Sequence, residues 1–230
     1  MQRIVGVTPQ LTTESRRLRS KLELILPPLL ATGRQLVGHP ELRALYPEFL
    51  IHTHSIIRAS VPLMETALAT ARALPQDRVT GPLAEYFEQH IPEERGHDDW
   101  LLEDLESIGF ARDEVMGRVP SPTIAELVGS QYYWIKHVHP VGLLGYIALF
   151  EGYPPLPEEI DRMRAATRYG PDAFRTLVLH ADLDTDHRQD LDDLLDSLPL
   201  TDQQRTLVSI SALSSLLLIT RARQELLDRF

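Results

Sequence analysis

Apolar residues recur along this chain at steps of three and four almost from end to end, the period of helices that bury one face. No stretch alternates apolar and polar residues as a half-buried strand would, and no Asn-Gly or Asp-Gly pair marks a hairpin. The pattern predicts a helical region over about 9–37, interrupted at Pro27-Pro28, and a second from Pro40 to about Leu74, with Pro47 and Pro62 as starts or kinks. A third covers about 77–109, and Gly109 is placed to end it as a left-handed residue after the last turn. The turn "VPSPT" (119–123) then starts a helix to about 134, capped by Ser121 or Thr123. Further helices are expected over about 138–152, broken by "GYPPLP" (152–157), over 158–168, over 171–197 and, after "LPLTD" (198–202), over 202–229. No linker, low-complexity tract or fixed-period repeat divides the chain, so one all-α domain, 1–230, is expected, with short connections.

Three of these segments place polar residues on faces meant for the core. In "HIPEERGHDDWLLEDLESIG" (90–109), Leu101, Leu105 and Ile108 form an apolar stripe that, extended backwards, runs through His97 and Glu94. In the helix at 171–197, steps of three and four from Leu177 give His180, Asp184 and His187 before the stripe resumes at Leu191. The helix in "PVGLLGYIALFEGY" (140–153) is apolar on almost every side, and Glu151 is its only charged residue. A buried, isolated carboxylate must shift its pKa, find a partner or bind a metal. Three carboxylates (Glu94, Glu151, Asp184) and three imidazoles (His97, His180, His187) are thus directed inward, the ligand types of iron, manganese and zinc. Six ligands are more than one tetrahedral zinc site uses, and they suit two metals with open positions, as in the dinuclear carboxylate sites of helical bundles.

The competing reading is a buried polar network without metal, with Glu94 paired to an arginine of another helix and Asp184 to Arg188. His90 lies four residues before Glu94, but Pro92 between them is expected to disturb the helix, so His90 is left out of the set. Glu93 and Asp186 adjoin candidate ligands and fall off the stripes.

Composition narrows the partners. Asp+Glu number 33 against Lys+Arg 23, a formal net charge of −10, which argues against nucleic acid or an anionic membrane surface. The chain has no Cys, so disulfides, thiolate metal sites, Fe–S clusters and Cys nucleophiles are excluded. The first residues lack a signal-peptide pattern, and the longest uninterrupted apolar run, 140–150, is too short to span a bilayer, so a cytoplasmic protein is expected.

The order and spacing Glu94-x-x-His97, then Glu151, then His180-x-x-x-Asp184-x-x-His187 resemble the heme-oxygenase-like diiron oxidases and oxygenases, also called iron-containing redox enzymes. The segments "YFEQHIPEERGHDDWLLEDLESIG" and "LLGYIALFEG" are similar in texture to that family, and the resemblance spans about residues 40–198. It implies a seven-helix bundle of heme-oxygenase-like topology. It also implies two irons, Fe2+/Fe3+, held by Glu94, His97, Glu151, His180, Asp184 and His187, with O2 as co-substrate. The substrate it implies is a small molecule, with N-oxygenation or oxidative C–C cleavage of an amine or amino acid favoured and oxidative decarboxylation of a fatty acid the alternative. Rival readings are heme binding or degradation on the same fold and a metal-free helical interaction module. The related thiamin-degrading branch uses a Cys nucleophile, which is missing here, and the first histidine, His39, sits in a turn before Pro40. An external electron donor and a homodimer are compatible with the sequence; nucleic acid and membrane are not expected partners.

Two secondary stretches remain. "QYYWIKHVHP" (131–140) could line a substrate pocket but reads more simply as core and rim, with Lys136 at the surface. His54 and Arg58, one turn apart, could meet a substrate carboxylate or form a helix-surface pair.

Overall fold

A computed structural model describes residues 12–230, apart from the side chains of 182–186. Among the described residues there are twelve α-helices and two short 3-10 turns, and no strand. In chain order the helices are α1 (Glu14–Ile25), α2 (Pro27–Val37), α3 (Leu42–Ile57), α4 (Ser60–Arg72), α5 (Thr80–Glu94), α6 (His97–Glu106), α7 (Arg112–Met116), α8 (Pro122–His137), α9 (Leu143–Phe150), α10 (Pro157–Thr167), α11 (Arg175–Ser197) and α12 (Asp202–Leu227).

The count exceeds the seven that the resemblance implied because backbone breaks divide the long periodic segments. Pro27 starts α2 at its first position, where a missing N–H has no partner to lose. Pro62 falls in the first turn of α4 for the same reason, while Pro47 lies inside α3. The segment 77–109 divides at Gly96, whose φ of 94° is open to glycine and disfavoured for other residues. Glu94 therefore ends α5 and His97 begins α6. Gly109, φ 98°, follows α6 as expected, and Ser121 caps α8 by accepting the Ile124 N–H at 3.3 Å. The five-residue α7 is too short to show a period and was not predicted.

The apolar α9 is buried on nearly every side, as its pattern requires. It lies closest against α12, where a Cβ at Gly145 would overlap the Val208 carbonyl oxygen and come within 2.7 Å of Ala212 N. Only glycine permits this approach. Among the described residues α12 alone is long and apolar enough to cross a bilayer by length and composition; here it packs against α1, α2, α8 and α9.

Two contacts set the frame around the centre described next. Buried Asp104 of α6 accepts the Thr176 N–H at 3.0 Å and so caps the first turn of α11. Buried Arg19 of α1 donates to the Ala148 carbonyl at 2.7 Å and to Asp192 at 2.8 Å, tying α1, α9 and α11 together beside Glu151.

Candidate metal centre

Four chain segments deliver the polar residues. The last turn of α5 brings His90 and Glu94, the first residue of α6 is His97, Glu151 caps the C-terminus of α9, and α11 carries His180 and His187. Donor atoms of His90, Glu94, Glu151 and His187 all lie within 4.8 Å of one another, and those of Glu94, His97 and His180 form a second such group. Glu94 belongs to both. Its Oε1 is 3.6 Å from His187 Nδ1, and its Oε2 is 3.3 Å from His97 Nδ1. One carboxylate thus presents one oxygen to each group.

These residues have the chemistry of a metal site. His97 Nδ1, His187 Nδ1 and Glu151 Oε2 are buried with no hydrogen-bond partner. Each such atom costs about 1–3 kcal/mol if left unsatisfied. Unpartnered atoms of this kind in both groups are what a site for cations would show, because ligand lone pairs are kept free for a metal. His180 Nδ1 donates to the Thr176 carbonyl at 2.9 Å, which leaves Nε2 as the free lone pair. His90 Nε2 meets Glu151 Oε1 at 2.7 Å, and its Nδ1 lies 3.3 Å from Glu93 Oε2. Trp100 stacks on His97 at 4.1 Å and Tyr86 on His90 at 5.1 Å, fixing the planes of both rings.

The electrostatics follow from burial and mutual charge. Burial pushes Glu94 up, but the facing imidazoles of His97, His90 and His180 outweigh it and hold the carboxyl below its ordinary value. Glu151 goes the other way: burial raises it, and His90 offsets this only in part. Burial pulls His90 down, yet the hydrogen bond and charge of Glu151 bring it to about 8. His180 is lowered, first by burial, which favours the neutral imidazole that a metal needs.

Of the six candidate ligands, five are brought together: Glu94, His97, Glu151, His180 and His187. The side chain of the sixth, Asp184, lies outside the described residues, as does that of Asp186. The single helical stripe through Glu94 and His97 is corrected: the Glu-x-x-His unit straddles a helix break, and the turn at Arg95-Gly96 brings the two side chains together instead. His90, set aside because of Pro92, is a member of the first group. Pro92 sits in the last turn of α5, which continues to Glu94, so the i, i+4 relation of His90 and Glu94 survives. That spacing was the available signal. Glu93 is half exposed and touches His90 and His187 from outside the group. Among the described residues Glu94 pairs with histidines and with no arginine.

A cavity of about 600 Å³ opens onto this centre, lined by His90, Glu94, Glu151 and His180 on one part of its wall. No residue of 131–140 lines it, and neither do His54 and Arg58. His54 is buried with its Nε2 unpartnered, and Lys136 lies over the Tyr132 ring at 5.7 Å.

The fold is shared with several solved structures. A domain of unknown function with a heme oxygenase-like fold from Shewanella denitrificans has a TM-score of 0.73 at 21% identity, covering 99% of this chain and 94% of that one. A TenA homologue from Pseudomonas syringae pv. tomato has a TM-score of 0.67 at 13% identity, covering 97% and 99%. A CADD-like protein of unknown function from Nostoc punctiforme has a TM-score of 0.65 at 15% identity, covering 94% and 98%. Comparison with curated protein sequences finds no match. Fold and site together define an all-helical, heme-oxygenase-like protein with a candidate His/carboxylate metal centre. The chain belongs to the iron-containing redox enzyme family, which it matches over residues 57–218.

Proposed function

We propose that this chain is a non-heme diiron enzyme that uses O2 to oxidise a small-molecule substrate. The observation that carries the reading is Glu94, whose two oxygens face two separate groups of His and carboxylate donors. In this reading His90, Glu94, Glu151 and His187 hold one iron, and Glu94, His97 and His180 hold the other. Asp184 is expected to join them from its place in His180-x-x-x-Asp184-x-x-His187. When bound, the irons would supply the electrons that reduce O2.

The chain's own groups do the rest. Neutral His180 is oriented by the Thr176 carbonyl. Glu93 holds His90 from outside, and Tyr86 and Trp100 lock two of the rings. The apolar cavity wall keeps bulk water from the centre and admits the substrate.

Anaerobic loading with Fe(II) tests this directly. About two irons per chain should bind, and rapid mixing with O2 should then produce a transient visible absorbance. Asp184→Ala should lower the bound iron while far-UV circular dichroism stays helical. Unchanged iron in that variant, or no specific uptake by the wild type, would leave a buried polar network and end the diiron reading.

A further inference from the structure

The cavity that reaches the centre also holds a cation the centre does not use. Arg223, near the end of α12, lines it together with Gly33 of α2 and Glu159 of α10. A Cβ at Gly33 would lie 3.5 Å from Arg223 Nη1, so the guanidinium rests against α2 where a side chain is missing. Among the described residues Arg223 makes no hydrogen bond and no ion pair; the charge of Glu159 acts on it without a bond between the two. Glu159 instead accepts the Leu156 N–H at 3.4 Å and caps α10. Arg19, which is buried, shows the contrast, since Asp192 and the Ala148 carbonyl occupy it. Arg223 is partly accessible, yet burial pulls its pKa down.

Much of the cavity wall is hydrocarbon, Leu29, Leu36, Ile56, Met163, Ile219 and Leu226 among it. A guanidinium that lines an apolar cavity with no bonded counter-ion is unfavourable, and its planar fork fits a carboxylate through two parallel N–H···O bonds. A volume of about 600 Å³ is in the range of sites that enclose a whole small ligand.

We propose that this cavity binds an organic carboxylate with an extended hydrocarbon body, and that Arg223 holds the carboxylate while the hydrocarbon faces the metal centre. Arg223 is no ion-pair partner of Glu94 or Glu151, so anchor and centre are separate stations of one cavity. The carboxylate is the handle and not the group that reacts. The anchor stands on the cavity alone; that its ligand is the enzyme's substrate rests on the diiron reading.

The test is calorimetric titration of the full chain, metal-free and iron-loaded, with decanoate and with methyl decanoate. The metal-free wild type should bind the acid about ten- to a hundred-fold more tightly than the ester, the range for a charged hydrogen-bonded pair. Arg223→Met should remove that preference while ester affinity and iron stoichiometry stay unchanged. Equal binding of acid and ester by the wild type overturns the anchor without recourse to any variant, so a misfolded Arg223→Met does not shield it. A folded Arg223→Met that keeps the preference overturns it too. Acid binding that appears only after iron loading would place the carboxylate on the metals, which defeats the anchor and leaves the diiron reading standing. Acid preference with no iron uptake would do the reverse.

Discussion

At the scale of single residues, the centre turns on Glu94. Because its oxygens face different groups, its loss should differ in kind from the loss of any one histidine. On the diiron reading, Glu94→Ala should empty both iron positions, whereas His90→Ala should weaken one and His97→Ala the other. Iron analysis with Mössbauer spectra of the loaded variants would separate these cases; a Glu94→Ala chain that keeps as much iron as His90→Ala would show that the carboxylate does not bridge. Most of this centre was legible in the sequence, because an inward charge on an apolar face is conspicuous. Glu151 stood out most, as the one charge of an otherwise apolar helix. His90 falls outside the sequence-derived set because Pro92 is expected to disturb the helix between it and Glu94, whereas α5 runs on to Glu94. A proline near a C-terminus removes one backbone donor and leaves the turn in place.

At the scale of elements, backbone breaks do the positioning. Gly96, at φ 94°, turns the chain between α5 and α6, and a helical wheel is blind to it because it reads side-chain spacing only. Gly96→Ala should destabilise the fold by about 1–2 kcal/mol and weaken iron binding by the group that contains His97. Urea melts and iron titration check both; full stability with intact iron would show the turn is not the positioning device. Gly145→Ala attacks the α9–α12 contact, where the added Cβ meets the Val208 carbonyl. A loss of about 1–3 kcal/mol is expected there, and an unaffected melting curve would contradict the packing described. Asp104 acts on α11 differently. Burial raises its carboxyl above the ordinary value, so the folded chain favours the protonated form. Its contribution to stability is greatest at low pH and declines as pH rises from about 4 through the raised value. Asp104→Asn keeps an acceptor for the Thr176 N–H and should abolish that decline, which urea melts across acid pH would register.

At the scale of the whole molecule, the helical class and the family were legible, and the number of helices was not. Periodicity reports which faces are buried and passes over short interruptions, so twelve described helices read as fewer, longer ones. The centre gathers α5, α6, α9 and α11, and ions bound there would clasp all four. Each iron bound at a hundred times its dissociation constant should add about 2.7 kcal/mol, or about 5–10 °C in Tm for a chain of this size. Thermal melts with and without Fe(II) measure it, and Asp184→Ala should lose most of the gain.

The candidate ligands all fall inside the span 57–218 that defines the family. Arg19, Gly33 and Arg223 fall outside it. Arg19 braces the turn that carries Glu151, and α2 with the last turns of α12 closes the cavity around Arg223. The middle of the chain thus carries the candidate ligands, and its flanks complete the wall of the cavity that reaches them. On the proposed reading, exchanging residues 26–37 together with 219–226 for those of a relative should change which molecule the cavity holds and leave iron uptake in place.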